Sequence, residues 1–126
     1  MIVMHKVILL AHGSRDSLWK IPLENINEML KNEFGENNFD VAYLEFISPD
    51  IKEIVFKSYK NGFRSFSFLP LFIAAGAHLR NDVPKIIADI CTELTDIDYK
   101  ILAPIGEHEL FRKAILEIVR GYQDDF

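Results

Sequence analysis

The sequence predicts an α/β fold: a single-domain, open parallel sheet of about four strands, flanked by helices on both faces. Short apolar runs alternate roughly four times with segments whose apolar residues recur at helical spacing, and short turns join them. The 126 residues, 49% hydrophobic and 26% charged, suffice for one sizeable hydrophobic core but not for two. We therefore expect residues 1–126 to form one domain.

The first half of the chain predicts two strands and two helices. Val3–Leu10 is a continuous run rich in Val, Ile and Leu, which is typical of a strand buried on both faces of a parallel sheet. The helix that follows is expected to end at Gly35. Asp40–Phe46 is the second predicted strand. The second helix is predicted to start at Ser48–Asp50, with Ser48 as its cap and proline at its first position.

The second half repeats this alternation. The third predicted strand runs from Phe66 to Phe72 and ends in small residues, among which Gly76 is expected to allow a tight turn or a close backbone approach. Asp82–Pro84 predicts the start of the third helix, because proline favours the first helical turn. Tyr99–Ala103 is the fourth predicted strand, and Leu110–Val119 is the final helix.

Composition and charge exclude several classes of protein. The longest apolar run is interrupted and falls well short of the roughly 20 residues that a membrane helix needs, so no membrane partner is expected. A net charge of −5 argues against nucleic acid as a partner, and the absence of phosphate-loop and dinucleotide motifs argues against a nucleotide cofactor. The N-terminus resembles no signal peptide, and the single cysteine, Cys91, fits a reducing compartment, so we expect a cytoplasmic protein.

Three polar residues stand near the ends of the first three predicted strands at a constant interval: one follows the first strand, one ends the second and one follows the third. His12, Glu45 and His78 are each separated by 33 residues, which is one strand-and-helix unit. Because ligands of such sheets bind outside the carboxyl ends of the strands, we expect these side chains to emerge together at that edge. Two imidazoles and a carboxylate suit a divalent transition metal with open positions for substrate. The same groups also suit general-base catalysis.

Three charged residues belong to this set or lie close to it in the sequence. Glu45 lies within an apolar run, where an unpaired carboxylate is costly to bury, so we expect it to meet a cation, a metal or cleft water. Arg15 and Arg80 closely follow the two histidines. They either bind substrate carboxylates or remain solvated surface charges.

The remaining histidines and the larger aromatic residues have simpler interpretations. His5 lies at the opposite end of the first strand from His12 and is expected to be structural. His108 stands between two glutamates at the start of the last helix, as a solvated cap or a member of the cleft. Cys91 lies on an apolar helix face and is expected to pack in the core. The aromatic residues expected to pack are Trp19, Phe46, Phe72 and Phe111. As an alternative, Phe46 and Phe72 line a cleft for a flat ligand.

Four motifs lie in order along nearly the whole chain. They are Leu10-Ala11-His12-Gly13-Ser14-Arg15, Leu44-Glu45-Phe46 followed by Pro49, Leu69-Pro70-Leu71-Phe72 through His78 to Asp82-Val83-Pro84, and Ala103-Pro104-Ile105-Gly106. Together they resemble the motifs of the small class II tetrapyrrole chelatases, the short CbiX and SirB-like enzymes, which insert cobalt, nickel or iron into sirohydrochlorin. Many members of this family carry Gly-x-His-Pro where this chain reads Gly-Glu-His-Glu from position 106.

The resemblance implies a chelatase-like fold, a divalent metal ion as a substrate, sirohydrochlorin as the other substrate, and a homodimer that encloses the macrocycle. It implies that His12 and His78 are the catalytic, metal-contacting histidines and that Glu45 is the acidic residue facing the metal. Sirohydrochlorin carries many carboxylates, so a net acidic chain needs local cations at the rim of the cleft. The candidates are Arg15, Arg80, Lys20 and Lys52.

Metal insertion requires the ion to shed water and two pyrrole N–H protons to leave. We expect one of His12 and His78 to accept these protons while the other histidine and Glu45 hold the ion. Two alternatives stay open. One is a non-catalytic carrier of metal or tetrapyrrole. The other is a phosphatase with His12 as nucleophile, which is disfavoured because histidine phosphatases carry arginine directly before that histidine, where this chain has Ala11.

Overall fold

A computed structural model describes residues 4–74 and 76–125, without the side chain of His78. Strands and helices alternate along the described residues, which confirms the predicted α/β class. Short 3-10 helices span Glu36–Asn38, Ile105–Glu107 and Gln123–Asp125. The strands are β1 (His5–Ala11), β2 (Phe39–Tyr43), β3 (Ser65–Pro70) and β4 (Asp98–Ile101), and the longer helices are α1 (Ile21–Phe34), α2 (Ile51–Lys60), α3 (Ala77–Glu93) and α4 (Glu109–Gly121).

The four strands form one parallel sheet in the order β2-β1-β3-β4. Leu9 in β1 pairs with Val41 on one side and with Leu69 on the other. Because all four strands are parallel, their carboxyl ends share one edge of the sheet, called here the C-terminal edge. The segments that follow β2, β1 and β3 are therefore neighbours at this edge, as the constant spacing of the polar residues predicts.

Helices pack on both faces of the sheet, and β1 is buried between them. Ile8 and Leu10 belong to the larger core, which contains the buried residues of α2 and α3. Leu9 and Ala11 belong to the smaller core, against which α1 packs. None of these four residues is more than 2% exposed. A strand with two buried faces has no polar side, which explains the continuous apolar run in the sequence.

The second helix is capped by a residue other than the predicted one. Asp50, and not Ser48, is the N-cap of α2, because its Oδ1 accepts a hydrogen bond from the Glu53 N–H at 2.8 Å. The end of α1 agrees with the prediction: Gly35 follows its last residue with a φ of 122°. Local chemistry therefore fixes the start of α2 and the end of α1. The structure differs from the prediction only in which residue caps α2.

The third helix begins five residues earlier than predicted. α3 starts at Ala77, and Pro84, expected near its start, lies inside it. An interior proline costs a helix one backbone hydrogen bond. Val83 and Ile87 are at most 4% exposed and belong to the larger core. Burial of this apolar face holds the helix on the sheet despite the proline.

The last helix lies apart from the sheet. All residues of β4 and all residues of α4 except Phe111 are exposed. α4 packs mainly against the two short 3-10 helices that flank it in the chain. The sequence correctly predicts a helix here but not that its apolar side is left uncovered. Within the described residues, no helix has both the length and the apolar character needed to cross a membrane.

Candidate functional site at the C-terminal edge

The residues that follow β1 and β2 are joined through their backbones. The N–H of Glu45 donates a hydrogen bond to the carbonyl oxygen of His12 at 3.0 Å, and the N–H of Leu44 donates to that of Ala11 at 2.9 Å. His12 and Glu45 are both exposed. An imidazole and a carboxylate therefore lie on neighbouring segments of the C-terminal edge and are open to a ligand.

Gly13 allows these two segments to approach each other. Its φ is 104°, and a Cβ built on it would lie 1.8 Å from the carbonyl oxygen of Glu45. Any side chain at this position would push the segments apart. The expectation that Gly76 makes such a tight turn or close approach is wrong, because Gly76 is the N-cap of α3 with a φ of −67° and has no atom within 4 Å of an added Cβ.

Glu45 lies in a bend and not in a strand. β2 ends at Tyr43, and Phe46 has a φ of 72°, a backbone conformation incompatible with an extended strand. The prediction that the second strand extends through Glu45 to Phe46 is wrong, because the chain has already left the sheet at this point. The exposed carboxylate of Glu45 needs no partner to offset burial, and it is accessible to an ion from solution.

Phe46 and Arg15 form a contact that the sequence did not predict. The Phe46 ring is 57% exposed, and the guanidinium carbon of Arg15 lies 4.8 Å from the ring centroid. This distance is within the range of a cation–π interaction. The exposed ring contradicts a packing role and agrees with the alternative of a cleft-lining residue. Arg15 is thereby held close to the residue that follows Glu45.

The His12 ring rests on a buried aromatic residue. The ring centroids of His12 and Phe72 are 4.4 Å apart, with planes inclined by 39°. Phe72 follows β3, is 3% exposed and belongs to the larger core, so its predicted packing role is confirmed. A fixed ring on one side restricts the orientations available to the imidazole.

The third predicted ligand, His78, lies in the first turn of α3, which follows β3 at the C-terminal edge. Its side chain is outside the described part of the structure. Arg80, in the same turn, is exposed and lines a cavity of about 140 Å³ together with Phe72 and Pro104. Among the described side chains, no three His, Cys, Asp or Glu residues lie close enough to hold a metal ion. Metal ligation by His12, Glu45 and His78 stays a prediction.

The sequence of the chain matches the model of the CbiX family over residues 6–121. The chain belongs to the CbiX family. It is 32% identical over 104 residues to the chloroplastic sirohydrochlorin ferrochelatase of Arabidopsis thaliana, a match that covers 82% of this chain and 46% of that protein. It is 29% identical over 122 residues to the sirohydrochlorin cobaltochelatase of Sulfurisphaera tokodaii, covering 94% and 97%. The chain thus spans about half the length of the plant relative and nearly all of the archaeal one.

A solved structure agrees with this assignment. The crystal structure of a CbiX protein from Marinobacter aquaeolei VT8 superposes on this CbiX-family chain with a TM-score of 0.81 and 33% sequence identity, covering 96% of each chain. The predicted chelatase-like fold is therefore confirmed.

The two candidate lysines of this CbiX-family chain are already paired with carboxylates. Lys20 Nζ lies 3.6 Å from an oxygen of Glu24, and Lys52 Nζ lies 3.3 Å from an oxygen of Glu93. Each pair reduces the positive charge offered to an anionic ligand. Arg15 and Arg80 are therefore the stronger candidates for binding substrate carboxylates.

Of the other histidines, His5 lies away from the His12–Glu45 contact. His5 Nδ1 is hydrogen-bonded to Ser65 Oγ at 2.7 Å and its Nε2 to Ser67 Oγ at 2.9 Å, at the opposite edge of the sheet. These bonds tie β1 to β3 and confirm the predicted structural role. His108 is the N-cap residue of α4, but its side chain makes no capping hydrogen bond.

Cys91 is a free thiol on α3, half-buried against the larger core, as predicted. Burial raises the pKa of this thiol above its usual value of 9.0. A thiol with a raised pKa is a weak nucleophile and a weak metal ligand at neutral pH. Cys91 is therefore a poor candidate for a nucleophile or a metal ligand.

Proposed function

We propose that this CbiX-family chain inserts a divalent metal ion into sirohydrochlorin, with cobalt as the principal metal and nickel or iron as alternatives. The observation that carries the proposal is the backbone hydrogen bond from Glu45 to His12, which brings an imidazole and a carboxylate together at an exposed edge. The first turn of α3, with His78, lies at the same edge. The names of the relatives, sirohydrochlorin cobaltochelatase and ferrochelatase, support the same class of reaction.

The two kinds of side chain suit the two requirements of metal insertion. The ion must exchange bound water for pyrrole nitrogens, and two pyrrole protons must be accepted. Glu45 and one histidine hold the hydrated ion weakly. The other histidine accepts one pyrrole proton, passes it to water, and then accepts the second. An exposed carboxylate suits this purpose because a ligand bound too tightly would retain the ion.

The contacts around this pair suit a flat, anionic substrate. The exposed ring of Phe46 offers a face against which a macrocycle can pack. The guanidinium of Arg15 lies over that ring and can donate hydrogen bonds to carboxylates at the rim of the macrocycle. Arg80 lies at the start of α3, where it would meet carboxylates on the side of β4.

We also propose that the chain acts as a homodimer in the cytoplasm. His12 and Glu45 are exposed, so one copy faces only one side of a macrocycle and a second copy is needed to enclose it. A single cysteine, present as a free thiol, suits a reducing compartment.

The test is insertion of cobalt into sirohydrochlorin, followed by the change in absorbance of the macrocycle. We expect His12→Ala and His78→Ala each to lower the rate at least about 100-fold, the usual contribution of a general base. His5→Ala is the matched control, because His5 lies at the opposite edge of the sheet, against Ser65 and Ser67. Wild-type activity in His78→Ala with an intact fold would contradict the assignment.

The same assay separates the alternatives. A carrier would bind cobalt or sirohydrochlorin without increasing the metallated fraction over time. A phosphatase would hydrolyse a phosphate ester and insert no metal. Insertion rates measured with cobalt, nickel and iron under one set of conditions identify the preferred ion.

A further inference from the structure

The outer strand β2 carries backbone groups that face away from the sheet. In a parallel sheet, alternate residues of a strand bond to one neighbour, and the residues between them face the other side. The N–H of Leu44 donates to Ala11 in β1, whereas the N–H of Tyr43 donates outward, to the carbonyl oxygen of Pro49 at 2.8 Å. Val41, two residues before Tyr43, therefore turns its N–H and C=O outward. Because β2 is the last strand on its side, no strand of the described residues pairs with these groups.

This edge lies in a groove between α1 and α2. An upper cavity of about 340 Å³ is lined by Val41 of β2, Asn27 of α1 and Ile54 of α2. A lower cavity of about 430 Å³ shares Lys31 and Lys57 with it and continues toward the start of β2. The two cavities form one elongated groove, called here the β2 groove, beside a strand of five residues that spans about 16 Å.

Asn27 places a buried amide without a partner at this groove. It is 8% exposed and is the most buried residue of α1. Its Oδ1 is fully buried and has no hydrogen-bond partner among the described residues. A buried amide oxygen without a donor destabilises a fold, and a leucine of similar size would avoid that cost. The helix therefore keeps, on the wall of the groove, an acceptor that an added donor would satisfy.

The charges of the upper cavity leave one lysine without a partner. Lys57 has no carboxylate within ion-pair distance among the described side chains, whereas each carboxylate that lines the upper cavity is paired with a lysine. An anionic group is therefore favoured beside Lys57. The lower cavity adds the unpaired Glu36, which disfavours an anion at that end. The paired carboxylates are Glu24 with Lys20 at 3.6 Å, Glu28 with Lys31 at 3.5 Å, and Asp40 with Lys6 at 2.8 Å.

β2 lacks the features that usually prevent a further strand from adding to an outer strand. Such strands are commonly blocked by proline, by lysine or by a covering segment. β2 contains neither proline nor lysine, and the charge of Asp40 is neutralised by Lys6. The loop at Pro49 covers only the end of the strand, at Tyr43. The part of the edge around Val41 stays open to another chain.

We propose that the β2 groove binds an extended acidic peptide segment of another protein, which adds to β2 as a fifth strand. Its backbone exchanges hydrogen bonds with the N–H and C=O of Val41. Successive side chains of a strand point to opposite sides, so one reaches α1 and the next reaches α2. A carboxylate on the α2 side pairs with Lys57, and a hydroxyl or amide on the α1 side donates to Asn27. The segment therefore carries Asp or Glu next to Ser, Thr, Asn or Gln.

A peptide strand fits this groove better than a small anion. A free carboxylate would meet Lys57 but would leave the outward groups of Val41 unpaired, whereas a strand meets the charge, the amide and the backbone together. Neither His12 nor Glu45 lines either cavity. The peptide site is therefore separate from the candidate metal site and adds an interaction to the proposed activity.

The first experiment follows the backbone amide of Val41 and the side-chain amide of Asn27 by NMR in the ¹⁵N-labelled full chain, without metal or tetrapyrrole. The probe is the peptide acetyl-Val-Thr-Glu-Thr-Val-amide at millimolar concentration. We expect saturable shifts of both signals. The same peptide with Gln in place of Glu should bind about 5-fold more weakly, which is the worth of an exposed ion pair. The peptide with every backbone nitrogen methylated should cause no shift. Absence of a shift at Val41, or an equal shift with the methylated peptide, would overturn the proposal.

The second experiment tests the two side chains assigned to the peptide. Lys57→Glu should weaken binding of the Glu peptide about 10-fold and favour a peptide with Lys in its place. Lys60→Glu is the matched control, because Lys60 is an exposed lysine of the same helix that lines neither cavity. Equal effects of the two substitutions would show that the contact with Lys57 is not specific, and they would overturn its role.

Asn27→Leu should change stability and binding in opposite directions. We expect its urea midpoint to rise, because the unpaired amide is removed, and its affinity for the peptide to fall. A merely structural role for Asn27 would lower the urea midpoint instead, and that result, or wild-type affinity for the peptide, would overturn the assignment. Both variants are measured without metal, so the outcome does not depend on the proposed chelatase activity.

Discussion

Lys6 Nζ lies 2.8 Å from Asp40 Oδ2 at the edge of the sheet opposite the candidate site. The lysine side chain is 9% exposed, and its ammonium also donates to the carbonyl oxygen of Asn37 at 2.7 Å and lies 4.4 Å from the centroid of Phe63. A buried charge without its partner is costly. The pair therefore joins β1 to β2 in a way that depends on both members.

We predict that Asp40→Ala lowers the free energy of unfolding by about 2 kcal/mol, because it leaves the ammonium of Lys6 without its carboxylate. Urea unfolding followed by circular dichroism measures this change. Glu24→Ala is the matched control, since the Lys20–Glu24 pair is separated by 3.6 Å and both side chains are about half exposed. Its expected cost is below about 0.5 kcal/mol. Equal losses of unfolding free energy in Asp40→Ala and Glu24→Ala would show that burial of the Lys6–Asp40 pair does not strengthen it.

We predict that Gly13→Ala disrupts both stability and metal insertion. The added Cβ would overlap the Glu45 carbonyl, and the φ of 104° disfavours any side chain. The expected loss of unfolding free energy exceeds about 2 kcal/mol, and the separation of His12 from Glu45 should remove most cobalt insertion.

Gly35→Ala serves as the control for Gly13→Ala. Gly35 also has a positive φ, 122°, but the nearest atom to an added Cβ is Asn38 Nδ2 at 3.5 Å. This variant should lose about 1 kcal/mol through backbone strain alone and keep its insertion rate. If Gly13→Ala retains that rate as well, the approach of the two segments is not needed for activity.

We predict that Phe72 acts as a positioning residue for His12. Phe72→Leu should cost about 1 kcal/mol of stability and lower kcat for cobalt insertion several-fold, with little change in KM for sirohydrochlorin, because the imidazole loses its aromatic support. Phe66→Leu is the control, since Phe66 is fully buried in the same core and lies within β3, before its C-terminal end. Similar losses of kcat in both variants would indicate general destabilisation and not positioning.

Sequence patterns that depend on one element were sufficient to predict most of the fold. The apolar run of β1 reflects burial on two faces, and the equal intervals between His12, Glu45 and His78 reflect a repeated strand-and-helix unit. The apolar run and the equal intervals are both visible in the sequence, so they can be recognised without knowing which segments lie next to each other in the fold. The placement of the three polar residues at neighbouring positions of one edge depends on the strand order β2-β1-β3-β4, which the sequence does not specify.

Features that depend on contacts between distant segments were not predictable. Asp82–Pro84 has the chemistry of a helix start, but α3 already begins at Ala77, and Leu79 in this added turn packs against the larger core. The sequence does not distinguish Gly13, which meets another backbone, from Gly76, which meets nothing. Likewise, the sequence predicts α4 but not that most of its apolar residues are exposed.

Asp96 accepts a hydrogen bond from the Tyr59 hydroxyl at 2.6 Å, and its second oxygen lies 3.3 Å from Arg64 Nε. The Tyr59 hydrogen bond, with the Arg64 charge adding to it, lowers the pKa of this carboxyl below its usual 3.8. A carboxyl whose pKa is lower in the folded chain binds protons less readily there than in the unfolded chain. Its contribution to stability is therefore complete above about pH 4 and is lost as the pH falls through the folded value.

We predict that Asp96→Asn is less stable than the wild type at pH 7 and that the difference narrows as the pH is lowered below 3.8. The amide keeps an acceptor for Tyr59 but carries no charge, so the variant isolates the ionisation. The measurement is the urea midpoint of both proteins between pH 7 and pH 2.5. In Tyr59→Phe, which loses the donor, the pH dependence should weaken while Arg64 maintains part of it. A difference between Asp96→Asn and the wild type that stays constant down to the lowest pH would show that ionisation of Asp96 does not stabilise the fold.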